Sequence, residues 1–254
     1  MSPDNARFYM PALTHMTHDN PAGRLLSILM SARVIPGDRV CRMAWHELLQ
    51  TDERQSLLMS RLGKVMELPQ AAILALKEAY PDDIPTWEHW EAQVNAGFNS
   101  QQLQGPWASF INYIDDHTIN YLRMSATLLQ GKSLTRNIST EELTDVRRTI
   151  LAIIDELIES GQPDAVKKYL VYQLQRIVTA IDEYRISGAM PILDLVEGAF
   201  GHSLVDHDYS TFLKDDSLGQ KVVSCLATAA NLVTVATGLP ALPTTVALML
   251  RLGC

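Results

Sequence analysis

Apolar side chains return every three or four positions along almost the whole of this sequence, and nowhere do they alternate over a useful length. A helix that buries one face needs the first pattern, and a half-buried strand needs the second. The punctuation agrees with helices. Pro21 follows Asn20 as a residue at N1 follows a cap, and Leu25, Leu26 and Leu29 come next. Asp38 reads as the cap of a second helix through Leu49. Asp52 with Gln55 resembles a capping box ahead of Leu58, Leu62, Val65 and Met66, and Pro69 is expected to start a further helix. Thr86 is read as the cap of a helix with Trp87, Trp90, Val94 and Phe98 inside. One long helix is expected from Trp107 through Leu128, ending at Gly131. Ser139 with Glu142 is the clearest capping box, Pro163 and Pro191 open two more helices, and Gly201 to Asp216 reads as a polar loop.

The expected fold is therefore all-α, a multi-helix bundle of about ten helices with no significant sheet. Its organisation reads as an irregular arm over 1–18, an N-terminal helical subdomain over 19–131 and a C-terminal long-helix subdomain over 139–254. The boundary is expected in the linker 132–138, and all four tryptophans lie before it. With 47% hydrophobic residues in 254, the chain has enough apolar side chains for a real core, which excludes intrinsic disorder. Three scattered cysteines, Cys41, Cys225 and Cys254, do not make a disulfide framework and suggest reduced thiols. The first residues lack a basic stretch followed by an apolar run, so no signal peptide is expected and the chain is placed in the cytoplasm.

Charge narrows the partners. The net charge is −8. Residues 138–254 carry −6 of it and residues 1–137 only −2. Nucleic acid is disfavoured, because phosphate binding needs clustered Lys and Arg. From Val222 to Leu250 there is no charge at all, and Gly238-Leu239-Pro240 splits the run. Asn231 at the middle of its first half would be costly in lipid. This tail is read first as a buried core helix, then as an interface in a homo-oligomer, then as a segment that meets a membrane only conditionally.

Several clusters could carry chemistry, and each has a plainer reading. Ala126 to Ser133 matches a loose phosphate-loop pattern, but no strand precedes it and only one glycine is present, so it reads as a helix end. His202, Asp206, His207 and Asp208 hold the ligand types for a divalent metal, but a solvated acidic turn is the plainer reading. Asp115, Asp116 and His117 are consecutive and do not converge if helical. His15, His18 and Asp19 suit a metal only on a helix. The tryptophans with Phe98 and Phe110 read as core. Arg33, Arg39 and Arg42 form a small basic patch diluted by Asp38 and Glu47.

No nucleophile elbow, dinucleotide-binding glycine pattern, Cys-x-x-Cys pair or His-Glu-x-x-His helix occurs. The balance therefore falls against an enzyme, with no cofactor expected. The leading expectation is a non-enzymatic binding or adaptor protein that contacts another protein through an acidic C-terminal face, with Asp206, Asp208, Asp215 and Asp216 as the partner-binding residues. One alternative is a membrane-perturbing effector of a bacterial toxin or defence system using 222–250. Another is a metal-dependent hydrolase built on His202, Asp206, His207 and Asp208.

Overall fold

A computed structural model describes residues 18–82, 87–132 and 136–239. Among the described residues there are twelve helices, two of them only four residues long, and no strand. The all-α expectation holds. The chain divides into two compact units, one formed by Pro21–Thr127 and the other by the residues from Leu128 on together with His18–Asn20. The division falls inside the helix Asp116–Lys132.

The first unit contains α1 (Pro21–Ala32), α2 (Cys41–Leu49), α3 (Gln55–Ala79), α4 (Glu88–Ser100), α5 (Ala108–Ile111) and the start of α6 (Asp116–Lys132). Helix α3 packs on α1, α2 and α4. At the centre Trp45 meets Trp107 edge-on at 5.0 Å and Phe110 at 5.0 Å, while Phe98 lies 5.2 Å from Phe110. The rings are buried, and their indole N–H groups are not orphaned. Trp45 donates to Gln101 Oε1 at 2.7 Å and Trp107 to the Ala32 carbonyl at 3.0 Å. An unmet buried donor would cost about 1–3 kcal/mol, so these bonds protect much of what ring burial contributes.

Several boundaries differ from the sequence reading, each for a local reason. Helix α3 runs straight through Pro69. A mid-helix proline costs about 3 kcal/mol. Leu58, Leu62, Val65 and Leu68 before it share one buried face with Ala72, Ile73 and Leu76 after it. Each large one contributes about 1.5–3 kcal/mol, so continuity outweighs the break. Asp52 does not cap α3, because Gln50, Asp52 and Glu53 all have positive φ. The buried Arg61 guanidinium donates to the carbonyls of Leu49 and Gln50 at 2.7 and 2.9 Å and holds that turn. Helix α2 starts at Cys41 rather than after Asp38, since residues 39–41 are paired with 105–107. Cys41 N–H donates to the Gly105 carbonyl at 2.8 Å and Trp107 N–H to that of Arg39 at 2.7 Å. The run expected as one helix from Trp107 is two, α5 and α6. Asp115 Oδ1 accepts the Thr118 N–H at 2.6 Å and restarts the chain as α6. Helix α6 then continues through Gly131 to Lys132, which excludes a phosphate loop there. Thr86 and residues 133–135 of the linker lie outside the described residues.

The second unit contains α7 (Thr140–Glu159), α8 (Asp164–Asp182), α9 (Tyr184–Ser187), α10 (Met190–His202), α11 (His207–Asp215) and α12 (Ser217–Thr237). The Ser139–Glu142 capping box is present as expected. Arg136 adds a bidentate ion pair to Glu142 at 2.9 and 3.2 Å. Helix α12 packs on α7, α10 and α11. Val222, Leu226, Ala229, Ala230 and Val233 face inward from it. It ends at Gly238, whose φ of 69° is the left-handed cap geometry glycine adopts without strain. The stretch 201–216 is not all loop, because α11 occupies most of it. Asp206 caps that helix, and Tyr209, Phe212 and Leu213 give it a buried face.

Two outcomes follow from this packing. A Cβ at Gly219 would stand 1.9 Å from the Phe212 carbonyl oxygen. Gly219→Ala is expected to destabilise the protein by about 1–3 kcal/mol, read by denaturant unfolding. The Arg136 pair and the Ser139 N–H hold the Glu142 carboxyl down to about 2. A depressed folded pKa stabilises above the unfolded value, 4.5, and that stabilisation fades as the pH falls toward about 2. Glu142→Gln should lower the thermal midpoint at pH 7, with the gap to wild type narrowing on acidification below the ordinary glutamate range.

Candidate functional site

The acidic His/Asp stretch flagged in the sequence forms the turn from α10 into α11. It is built from backbone bonds first. Ser203 N–H donates to the Phe200 carbonyl, Leu204 N–H to Gly201, and the N–H groups of Val205 and Asp206 to His202, each at 3.1 Å. Ser203 Oγ donates to the Phe200 carbonyl at 2.7 Å. Asp206 Oδ1 accepts the Tyr209 N–H at 3.0 Å and starts α11. Successive reverse bonds and a capped helix start fix the turn at both ends.

Side chains then lock it onto α8. The His202 ring lies on the Tyr169 ring with centroids 3.7 Å apart and planes at 23°. Tyr209 completes the cluster, 5.2 Å from both. Tyr169 Oη donates to the Gly198 carbonyl at 3.5 Å and accepts from Gln173 Nε2 at 3.1 Å. His202 Nε2 is 3.4 Å from Asp206 Oδ2. The Tyr209 N–H, then the His202 ring, keep the Asp206 carboxyl below its usual range. Burial pushes the Tyr209 phenol upward. Its hydroxyl is buried and has no hydrogen-bond partner among the described residues.

Of the four residues proposed as metal ligands, this brings together only His202 and Asp206. His207 and Asp208 are exposed in the first turn of α11. Among the described residues, no three His, Cys, Asp or Glu side chains group closely enough to hold a metal ion. The four acids proposed for partner binding fall into two kinds. Asp206 and Asp216 are helix caps, and Asp216 accepts from Leu218 N–H at 2.7 Å and from Gln162 Nε2 at 2.8 Å. Asp208 and Asp215 are exposed. Two residues went unremarked in the sequence and dominate the turn's surface. Leu204 is 64% exposed and Val205 81%. The available signal was an apolar pair inside a polar stretch, off the stripe of either neighbouring helix.

The other clusters take quieter roles. Asp115 gains His89 of α4 at 3.5 Å, with His117 and Tyr121 beside it, all exposed. Arg33 pairs with Asp116 at 2.7 Å, Arg39 with Glu47 at 3.2 Å, and Arg42 donates to Gln55, so the basic patch is engaged within the unit. His15 lies outside the described residues. Cys41 and Cys225 are buried free thiols, and burial pushes both up to about 11. Neither supplies a thiolate near neutral pH. Helix α12 is by length and composition apolar enough to cross a membrane, and half of that stretch is buried within the unit.

No protein-family model, curated protein or solved structure matches this chain.

The cap assigned to Asp206 is directly testable. Asp206→Ala should lower the thermal midpoint at pH 7, and Asp206→Asn should restore most of it, because asparagine caps as well as aspartate. The charge-dependent part of the stabilisation belongs to the ionised form. It is present above the ordinary aspartate value of 3.8 and is lost as pH falls through the depressed folded value. In circular dichroism melts the gap between the alanine variant and wild type should therefore narrow in acid without closing.

Proposed function

We propose that this protein is a non-enzymatic helical binding protein whose α10–α11 turn docks on another protein. The observation that carries the reading is the exposure of Leu204 and Val205 on a turn held at both ends by hydrogen bonds and by the Tyr169–His202 stack. An apolar pair held rigid in water loses little further entropy on binding. The surroundings specify the partner's charge. No Lys or Arg lies between Arg185 and Lys214, while Asp206, His207 and Asp208 follow the pair directly. The complementary surface is an apolar cleft with a Lys- or Arg-bearing rim.

Magnitudes support a combined apolar and charged contact. Burying Leu204 and Val205 contributes about 1.5–3 kcal/mol each. A micromolar complex needs about 8 kcal/mol beyond the cost of association, so the pair alone falls short. Rim charges supply orientation and encounter rate. Burial of α12 against its neighbours supports a core role for that helix over a membrane one.

The test leaves the caps Asp206 and Asp216 intact. Tagged wild type, Leu204→Ser/Val205→Ser and Asp208→Lys/Asp215→Lys are used as baits and their captured proteins quantified by mass spectrometry. A protein retained by wild type and depleted in both variants, with unchanged circular dichroism, is expected. Identical recovery on all three baits would remove this turn as the binding surface.

A further inference from the structure

The start of α6 carries a group of side chains that only the fold assembles. Asp115, Asp116 and His117 are consecutive, and Asp116 is engaged by Arg33 at 2.7 Å. To the other two the fold adds His89, from the first turn of α4. His89 Nε2 lies 3.5 Å from Asp115 Oδ1. The His117 ring stands 6.2 Å from the His89 ring, centroid to centroid, with the planes at 85°. Tyr121, one turn further along α6, is 5.9 Å from His89. The backbone beneath is held in place. The buried Trp90, next to His89, donates from Nε1 to Ser125 Oγ of α6 at 3.2 Å. Asp115 Oδ1 also accepts the Thr118 N–H that starts α6.

A histidine that binds a metal ion through one ring nitrogen almost always gives the N–H of the other to a carboxylate or carbonyl, which fixes the tautomer and the ring orientation. The His89–Asp115 pair has this form, with Nε2 toward the carboxylate and Nδ1 left to carry the lone pair. Among the described residues no hydrogen bond engages that Nδ1 or either nitrogen of His117. Metal–nitrogen bonds of about 2.0–2.1 Å put two imidazoles on one tetrahedral ion with their centroids about 5 Å apart. The observed 6.2 Å exceeds this by about 1 Å, a gap that small rotations of two exposed side chains close. No third His, Cys, Asp or Glu among the described residues completes a set of ligands. Water fills the remaining positions, and the ion is exchangeable.

From this geometry we infer that His89 and His117 bind one divalent transition-metal ion between α4 and α6, with Asp115 as the positioning residue behind His89. Two imidazoles without a thiolate select Zn2+, Ni2+ or Cu2+. Mg2+ and Ca2+ take oxygen ligands, and Cu+ takes sulfur. The bound ion clips the start of α6 to α4. The site lies in the first unit, shares no residue with the α10–α11 turn and stands whether or not that turn docks a partner.

The probe is ZnCl2, titrated calorimetrically into the full chain without a histidine tag, with MgCl2 as the control. One Zn2+ per chain is expected, and no saturable binding of Mg2+. His89→Ala and His117→Ala should each weaken Zn2+ at least about tenfold, and Asp115→Asn, which still caps α6, by about tenfold. Both rings are exposed, so circular dichroism should not change in the alanine variants. Electron paramagnetic resonance of the Cu2+-loaded chain should show two equatorial nitrogens in wild type and one in His117→Ala. Zn2+ at about ten times its dissociation constant should raise the melting midpoint of wild type by about 3–6 °C and leave that of His117→Ala unmoved. His15→Ala/His18→Ala and His202→Ala/His207→Ala should titrate as wild type does. No saturable binding of Zn2+ up to about 1 mM overturns the proposal. So does wild-type affinity in any of His89→Ala, His117→Ala or Asp115→Asn, and so does loss of the ion in either control pair, which would place it at another histidine group.

Discussion

The second unit is built around one largely apolar helix packed on three others. Helix α12 carries no charge after Lys221, and its inward positions include Ala229 and Ala230, small enough to let α7, α10 and α11 approach. At Gly219 the helix lies against the backbone at Phe212 with no room for a side chain. Its one charged side chain lies near its start. Asp216 caps it while accepting from Gln162, and Lys221 pairs with Glu156 of α7 at 2.6 Å. An element that is apolar on its buried face and anchored at one end by a cap and an ion pair has its register fixed there. The helices packed on it inherit that register.

The first unit meets the same need with aromatic rings. Trp45, Trp107, Phe98 and Phe110 fill its centre, and the polar ends of the indoles must find acceptors within it. This places demands on loops rather than helices. The Ala32 carbonyl comes from the end of α1 and Gln101 from just past α4. The paired backbones of 39–41 and 105–107 hold those connections together. Both units also use carboxylate caps, Asp115 in the first and Asp206 and Asp216 in the second.

Where a helix begins or ends by its own local chemistry, the sequence was a good guide. Pro21, the Ser139–Glu142 box and Gly238 all mark boundaries seen in the structure. It misled where a distant side chain decides. Asp52 resembles a cap until Arg61, nine residues on, pins the preceding carbonyls and turns the backbone left-handed. Pro69 resembles a start until both halves of α3 are seen to share one buried face. The candidate turn shows the same division. Its His and Asp residues were visible, but Tyr169, which stacks on His202, lies 33 positions upstream on another helix, and no local pattern connects them.

The acidic turn also shows that charge counting alone overlooks what a carboxylate already does within the fold. Four aspartates gave the C-terminal part its candidate interface, yet Asp206 and Asp216 are occupied by backbone N–H groups of the helices they start. A carboxylate that caps a helix still contributes its field at a distance, so it can steer a basic partner. Its lone pairs are committed, and it offers a partner little direct hydrogen bonding without loosening the helix. Tight contact must then come from groups the fold does not use. On this turn those are Leu204, Val205 and the exposed Asp208. The caps hold the apolar pair in place and set the sign of the field around it, while in the proposed function the pair supplies the contact area.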